Sequence, residues 1–135
     1  MRDLPRQLDA DELARLFSGR TRLVAELAGR EDPLGVADEV AAALPEEDKV
    51  AALSTHPRIG ATSPEQHGDV PEELAELNRA YEEKFGFPFV VFVASRSRGE
   101  LVPVLRERLE RTREEELAAG LRELVAIARD RWTRT

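Results

Sequence analysis

Leu117, Leu121, Leu124, Ala128 and Trp132 recur every three or four residues along the last quarter of this chain. That spacing follows the 3.6-residue turn of an α-helix, which gathers such positions into one stripe. A half-buried strand would alternate with period two instead, so the pattern predicts a helix from about Arg113 onward. The same spacing links Leu74, Leu77, Tyr81 and Phe85 between Pro71 and Gly86, residues suited to opening and closing a helix.

Further runs repeat the pattern. Asp9 or Asp11 can cap a helix carrying Leu13 and Phe17, and Thr21 begins one with Leu23, Ala25, Leu27 and Ala28 that ends near Gly29. Val36, Val40 and Leu44 mark a run stopped by Pro45, and Glu46 to Thr55 forms another with Val50 and Leu53 inward. Residues 99–111 place Leu101, Val104 or Leu105, and Leu109 on one side, with Pro103 in the first turn. Phe87 to Val93 is strand-like by propensity. With no second strand to pair with, it is expected to be a buried apolar connection or a helix start. The expected fold is all-α, one domain over residues 1–135, a bundle of about seven to nine helices.

Composition narrows the function. A net charge of -7 argues against a nucleic-acid partner, which requires a basic footprint. No run of about 18 apolar residues is present, and Met1-Arg2-Asp3-Leu4-Pro5 lacks the apolar core of a signal peptide. The absence of cysteine excludes disulfides and thiolate ligands and suits a reducing compartment, so a cytoplasmic protein is expected. The glycines are scattered rather than gathered into a phosphate-binding loop, and no Gly-x-Ser-x-Gly elbow occurs. The charge run Glu114-Glu115-Glu116 reads as a solvated helix start, and Arg106, Arg108, Arg111 and Arg113 as surface charge.

The chemistry concentrates in His56-Pro57-Arg58-Ile59-Gly60 and the following Glu65-Gln66. Proline disfavours the α region for the residue before it, which places His56 at a helix end. Gly60 permits a loop that folds back and brings Glu65 towards the imidazole, forming an acid/base pair. His67, in a polar loop beside Glu65, reads as solvated. A metal site would have to use His56, Glu65 and His67, whose spacing matches no common zinc signature. Arg131, beside Trp132 on a packed helix, is positioned to reach a pocket.

These segments, with Leu77-Asn78-Arg79-Ala80-Tyr81-Glu82-Glu83-Lys84-Phe85-Gly86-Phe87-Pro88-Phe89-Val90, resemble the OHCU decarboxylase family (2-oxo-4-hydroxy-4-carboxy-5-ureidoimidazoline decarboxylases). Leu105 to Leu109 and then Ile127-Ala128 and Arg131 extend the likeness, which covers roughly residues 10–132 and is strongest over 53–93. The family acts last in converting urate to (S)-allantoin. The resemblance implies that His56 and Glu65 are catalytic and that Pro57 and Gln66 contact substrate. A serine contact of the family falls on Thr62, with Ser63 one place out of register. Its backbone contacts fall on Phe89, Val90, Val91, Phe92 and Val93, and Arg131 is a candidate partner for the substrate carboxylate or ureido group. The resemblance further implies a small purine-derived substrate, no cofactor and a homodimer. One departure is visible: residues 58–64 between Pro57 and Glu65 form a shorter segment than family members usually carry. A shortened loop leaves open a second reading, a non-catalytic helical module that binds a ligand or a protein.

Overall fold

The computed structural model describes residues 7–56, 72–93 and 98–134. Within them the chain forms α1 (Ala10–Phe17), α2 (Arg22–Leu27), α3 (Ala37–Ala43), α4 (Glu46–Ser54), α5 (Glu72–Phe85), α6 (Arg98–Leu109) and α7 (Arg113–Arg134). No strand occurs among the described residues. The all-α class is the one expected, and the seven helices among the described residues fall at the lower end of the anticipated range.

Local chemistry accounts for most helix ends. Asp9 accepts from the Glu12 amide at 2.8 Å while the Glu12 carboxylate accepts from the Asp9 amide, so two of the first orphan N–H groups of α1 are satisfied reciprocally. Thr21 caps α2 in the same sense, and Thr112 and Glu115 form a second reciprocal box ahead of α7. Hydrogen bonding from the Thr112 amide holds the Glu115 carboxyl below its usual range. At the end of α5, Gly86 adopts φ 82° and returns its amide to the Glu82 carbonyl at 2.9 Å, a left-handed position that suits glycine.

Long α7 is the mast of the fold and packs against α1, α3 and α4, while α2 fills the space among those three. α5 and α6 pack on each other. The α4–α7 contact is close because Gly120 presents no side chain: a Cβ there would meet both Leu53 methyl carbons at 3.2 Å. Leu53 is fully buried, and the chain leaves α4 directly after it towards His56.

Some inward assignments shift by one position. Val24 rather than Ala25 faces the core of α2, and Ala37 and Ala41 lie deeper in α3 than the half-buried Val36 and Val40. Small residues sit where α3 approaches its neighbours, whereas periodicity scored by side-chain size favours the valines. Pro103 is in the second turn of α6 rather than the first, because the helix begins at Arg98, and its ring is exposed. The buried face of α6 consists of Leu101, Val102, Leu105 and Arg108, with Val104 and Leu109 only partly covered.

Candidate active site

His56 lies just beyond the C-terminus of α4. Thr55 is the C-cap, and the His56 amide donates to the Leu53 carbonyl at 3.1 Å, which continues the last turn by one tight bond. The side chain is buried, with 8% of its surface exposed. The expected helix-end placement is therefore found. Pro57, Thr62, Ser63, Glu65, Gln66 and also His67 lie outside the described residues.

Arg131 extends from α7 to the end of α1. Its Nη1 donates to the Leu16 carbonyl at 2.9 Å and to Ser18 Oγ at 2.7 Å, at the C-terminus of α1. A cation there also meets the negative end of the helix dipole. Ser18 holds a left-handed φ of 66°, uncommon for a residue with a side chain. A Cβ on the next residue, Gly19, would sit 3.0 Å from the Thr55 Cβ, so the α1–α2 turn touches the residue preceding His56. Arg131 thus meets Ser18, and the adjoining Gly19 meets Thr55, the residue before His56.

Residues 86–93 form a separate apolar segment after α5. Phe87, Phe89, Val90 and Val91 are buried, and Phe92 and Val93 emerge to partial exposure. The anticipated buried apolar connection is what forms. Tyr81 packs against Phe85, Phe87 and Phe89 with ring centroids 4.6, 6.0 and 5.3 Å away. With no neighbouring strand among the described residues, backbone carbonyls here are met by other donors. Arg113 Nε supplies one to Phe85 at 2.9 Å, and Arg108 Nη1 supplies one to Val90 at 2.9 Å.

Arg108 and Glu116 require correction. Expected on the surface, they are 6% and 0% exposed, joined Nε to Oε1 at 2.6 Å. The same carboxylate oxygen accepts from the Tyr81 hydroxyl at 2.8 Å. Burial pushes the Tyr81 phenol well above its ordinary range; the nearby Arg108 charge opposes this and the bond to Glu116 adds to it. Spacing carried a usable signal, since Leu101, Leu105 and Arg108 share one α6 stripe and Glu116, Gly120 and Leu124 share one on α7. Arg113, also expected on the surface, is half-buried: it pairs with Glu46 and lies over the Phe87 ring at 5.5 Å.

An open concavity of about 410 Å³ lies elsewhere, between α2, α3 and the start of α4, with Arg22, Glu26, Arg30 and Asp48 at its walls. None of the residues anticipated as catalytic or substrate-binding lines it.

A family model for OHCU decarboxylase matches residues 4–133 of this sequence. The chain belongs to the OHCU decarboxylase family. Over 60 residues it is 37% identical to the uric acid degradation bifunctional protein of Bacillus sp. (strain TB-90), a match covering 44% of this chain and 12% of that protein. It is 30% identical over 100 residues to the uric acid degradation bifunctional protein PucL of Bacillus subtilis (strain 168), covering 63% and 20%. With the 2-oxo-4-hydroxy-4-carboxy-5-ureidoimidazoline decarboxylase of Halalkalicoccus jeotgali the figures are 35% over 57 residues, 42% and 32%. The matched regions therefore span less than a third of these relatives' own lengths.

Solved structures extend the likeness over nearly the whole chain. A crystal structure of OHCU decarboxylase in the presence of (S)-allantoin superposes with a TM-score of 0.78 at 25% identity, covering 91% of this chain and 96% of that one. The fold is shared as well with an (S)-allantoin synthase, at a TM-score of 0.71 and 22% identity over 90% of this chain and 47% of that one.

Proposed function

We propose that this OHCU decarboxylase family member converts 2-oxo-4-hydroxy-4-carboxy-5-ureidoimidazoline to (S)-allantoin with release of CO2, as the last step of urate degradation. The observation that carries the reading is the buried His56 at the end of α4, in a fold that matches, almost end to end, an OHCU decarboxylase crystallised with (S)-allantoin.

The bond from the ring carbon to the carboxylate breaks, CO2 leaves, and the electron pair passes into the adjacent ring C=N. The ring nitrogen takes one proton and the ring carbon another on one face, while the hydroxyl gives one up to become the product carbonyl, so loss of the carboxylate consumes one proton overall. His56 is the proton donor, with Glu65 orienting the imidazole or holding the substrate hydroxyl. Positioned proton transfer of this kind contributes roughly 10²–10⁴-fold. Pro57, Gln66, and Thr62 or Ser63 contact the ring, backbone groups of Phe89 to Val93 form a wall, and Arg131 meets the carboxylate or the ureido group. The reading also includes a homodimer working in the cytoplasm without a cofactor; sedimentation velocity tests the dimer.

The substrate is unstable, so the test generates it in place from urate with urate oxidase and 5-hydroxyisourate hydrolase and follows circular dichroism. Rapid build-up of optically active (S)-allantoin, lost in a folded His56→Ala variant, is the expected result. Slow racemic decay with the wild-type protein, or full activity in His56→Ala, overturns the assignment.

A further inference from the structure

We infer that Arg108 and Glu116 are positioning residues that set the backbone of residues 89–93 for substrate contact. Their kinetic consequence rests on the decarboxylase reading above; their structural consequence does not.

Residues 86–93 run without a neighbouring strand among the described residues, so no sheet ladder fixes their register. Arg108 takes over that role at one point. Its guanidinium lies on the Phe89 ring, 4.7 Å from the centroid, and its Nη1 donates to the Val90 carbonyl at 2.9 Å. The Nε of the same rigid plane donates to Glu116 Oε1 at 2.6 Å, and Tyr81 donates to that oxygen at 2.8 Å. The planar fork therefore ties the Val90 carbonyl to the first turn of α7 and to the middle of α5. From this anchor the chain passes from buried Val91 to partly exposed Phe92 and Val93.

Stability is a poor explanation for such a pair. Apolar residues of similar volume often replace a buried ion pair with no loss, because both charges must be stripped of water. Here the pair is not even fully satisfied: Arg108 Nη2 and Glu116 Oε2 are buried and have no hydrogen-bond partner among the described residues. A buried polar group left in that condition calls for a reason other than packing. An apolar pair could fill the volume but could not hold the Val90 carbonyl in place.

The experiment compares wild type with Arg108→Met/Glu116→Leu, with Glu116→Gln and with Arg108→Lys. Amide hydrogen exchange of the 87–93 peptide and steady-state KM and kcat are measured on each. The double apolar variant should stay folded but melt at a lower temperature, because the Tyr81 hydroxyl and the Val90 carbonyl lose their partners. Relative to the rest of the chain it should exchange at least tenfold faster within 87–93, and it should show KM raised by about 10-fold or more, since an ångström of misplacement can cost as much as ~10². Glu116→Gln keeps an acceptor for Tyr81 and Arg108, and it should restore both exchange and KM. Arg108→Lys keeps the charge but loses the two-donor plane. It should reproduce the loosening, and it serves as the probe if the double variant does not fold. Unchanged exchange overturns the inference, as does faster exchange with unaltered KM. If the wild-type protein shows no turnover, the decarboxylase reading fails, and exchange alone then supports or overturns the anchoring.

Discussion

Arg108, near the end of α6, and Glu116, in the first turn of α7, are eight positions apart and meet inside the protein, with 2.6 Å between Nε and Oε1. The bond closes the α6–α7 connection over the Tyr81 cluster. It also sets how strongly the protein should respond to losing either partner.

Glu116→Ala leaves the Arg108 guanidinium buried without its counter-ion. Removing one member of such a pair typically costs about 3–5 kcal/mol. Urea denaturation of Glu116→Ala should show a loss of that order, most of it recovered when Arg108→Met is added. Equal losses in the single and double variants would mean that volume, not charge, holds this corner.

Tyr81 should make the protein sensitive to alkali. Its folded pKa is raised above the ordinary value near 10, chiefly by burial, so the native state keeps a proton that the unfolded chain gives up. Stability from this group is full below about pH 10 and falls as pH rises from there towards the folded pKa. Tyr81→Phe should be less stable by about 1–2 kcal/mol near neutrality, because Glu116 loses a donor, yet decline less steeply above about pH 10. Equal slopes in urea titrations of the two proteins would assign the alkaline transition to another group.

Gly120 decides how close α4 comes to α7. A valine there drives its methyls into the Leu53 side chain, whose methyl carbons already stand 3.2 Å from an added Cβ. Overpacking of this kind costs about 1–3 kcal/mol. Because Leu53 accepts the His56 amide through its carbonyl, the surviving folded fraction of Gly120→Val should also turn over more slowly. A stable variant with normal kcat would show that the two helices can separate without moving His56.

Ser18 orients Arg131. Its hydroxyl takes Arg131 Nη1 at 2.7 Å, so Ser18→Ala removes one restraint on the guanidinium while leaving the Leu16 carbonyl contact. A hydrogen bond to a charged group is worth about 1.5–3 kcal/mol, and even a third of that loss would raise KM by roughly twofold to fivefold. Steady-state kinetics with melting temperature as control checks this; unchanged KM would separate Arg131 from substrate binding.

Much of the fold was legible in the sequence because helices are specified locally. Asp9, Thr21 and Gly86 mark boundaries through bonds to residues only three or four positions away, and the stripes through Tyr81 and Leu124 follow from the helical turn alone. His56 belongs to the same class: the proline after it biases its backbone whatever else surrounds it. The family likeness was legible for the same reason, since its motifs are short ordered runs.

Tertiary structure alone decided where charge is buried and what replaces a missing strand. Arg108 and Glu116 each sit on an inward stripe, yet nothing local says that the two will face one another or that the Val90 carbonyl will lie within reach. Those outcomes depend on how α5, α6 and the start of α7 close around Tyr81. A charged side chain enters the interior only when a distant partner compensates its lost hydration, and that partner is chosen by packing rather than by neighbours along the chain.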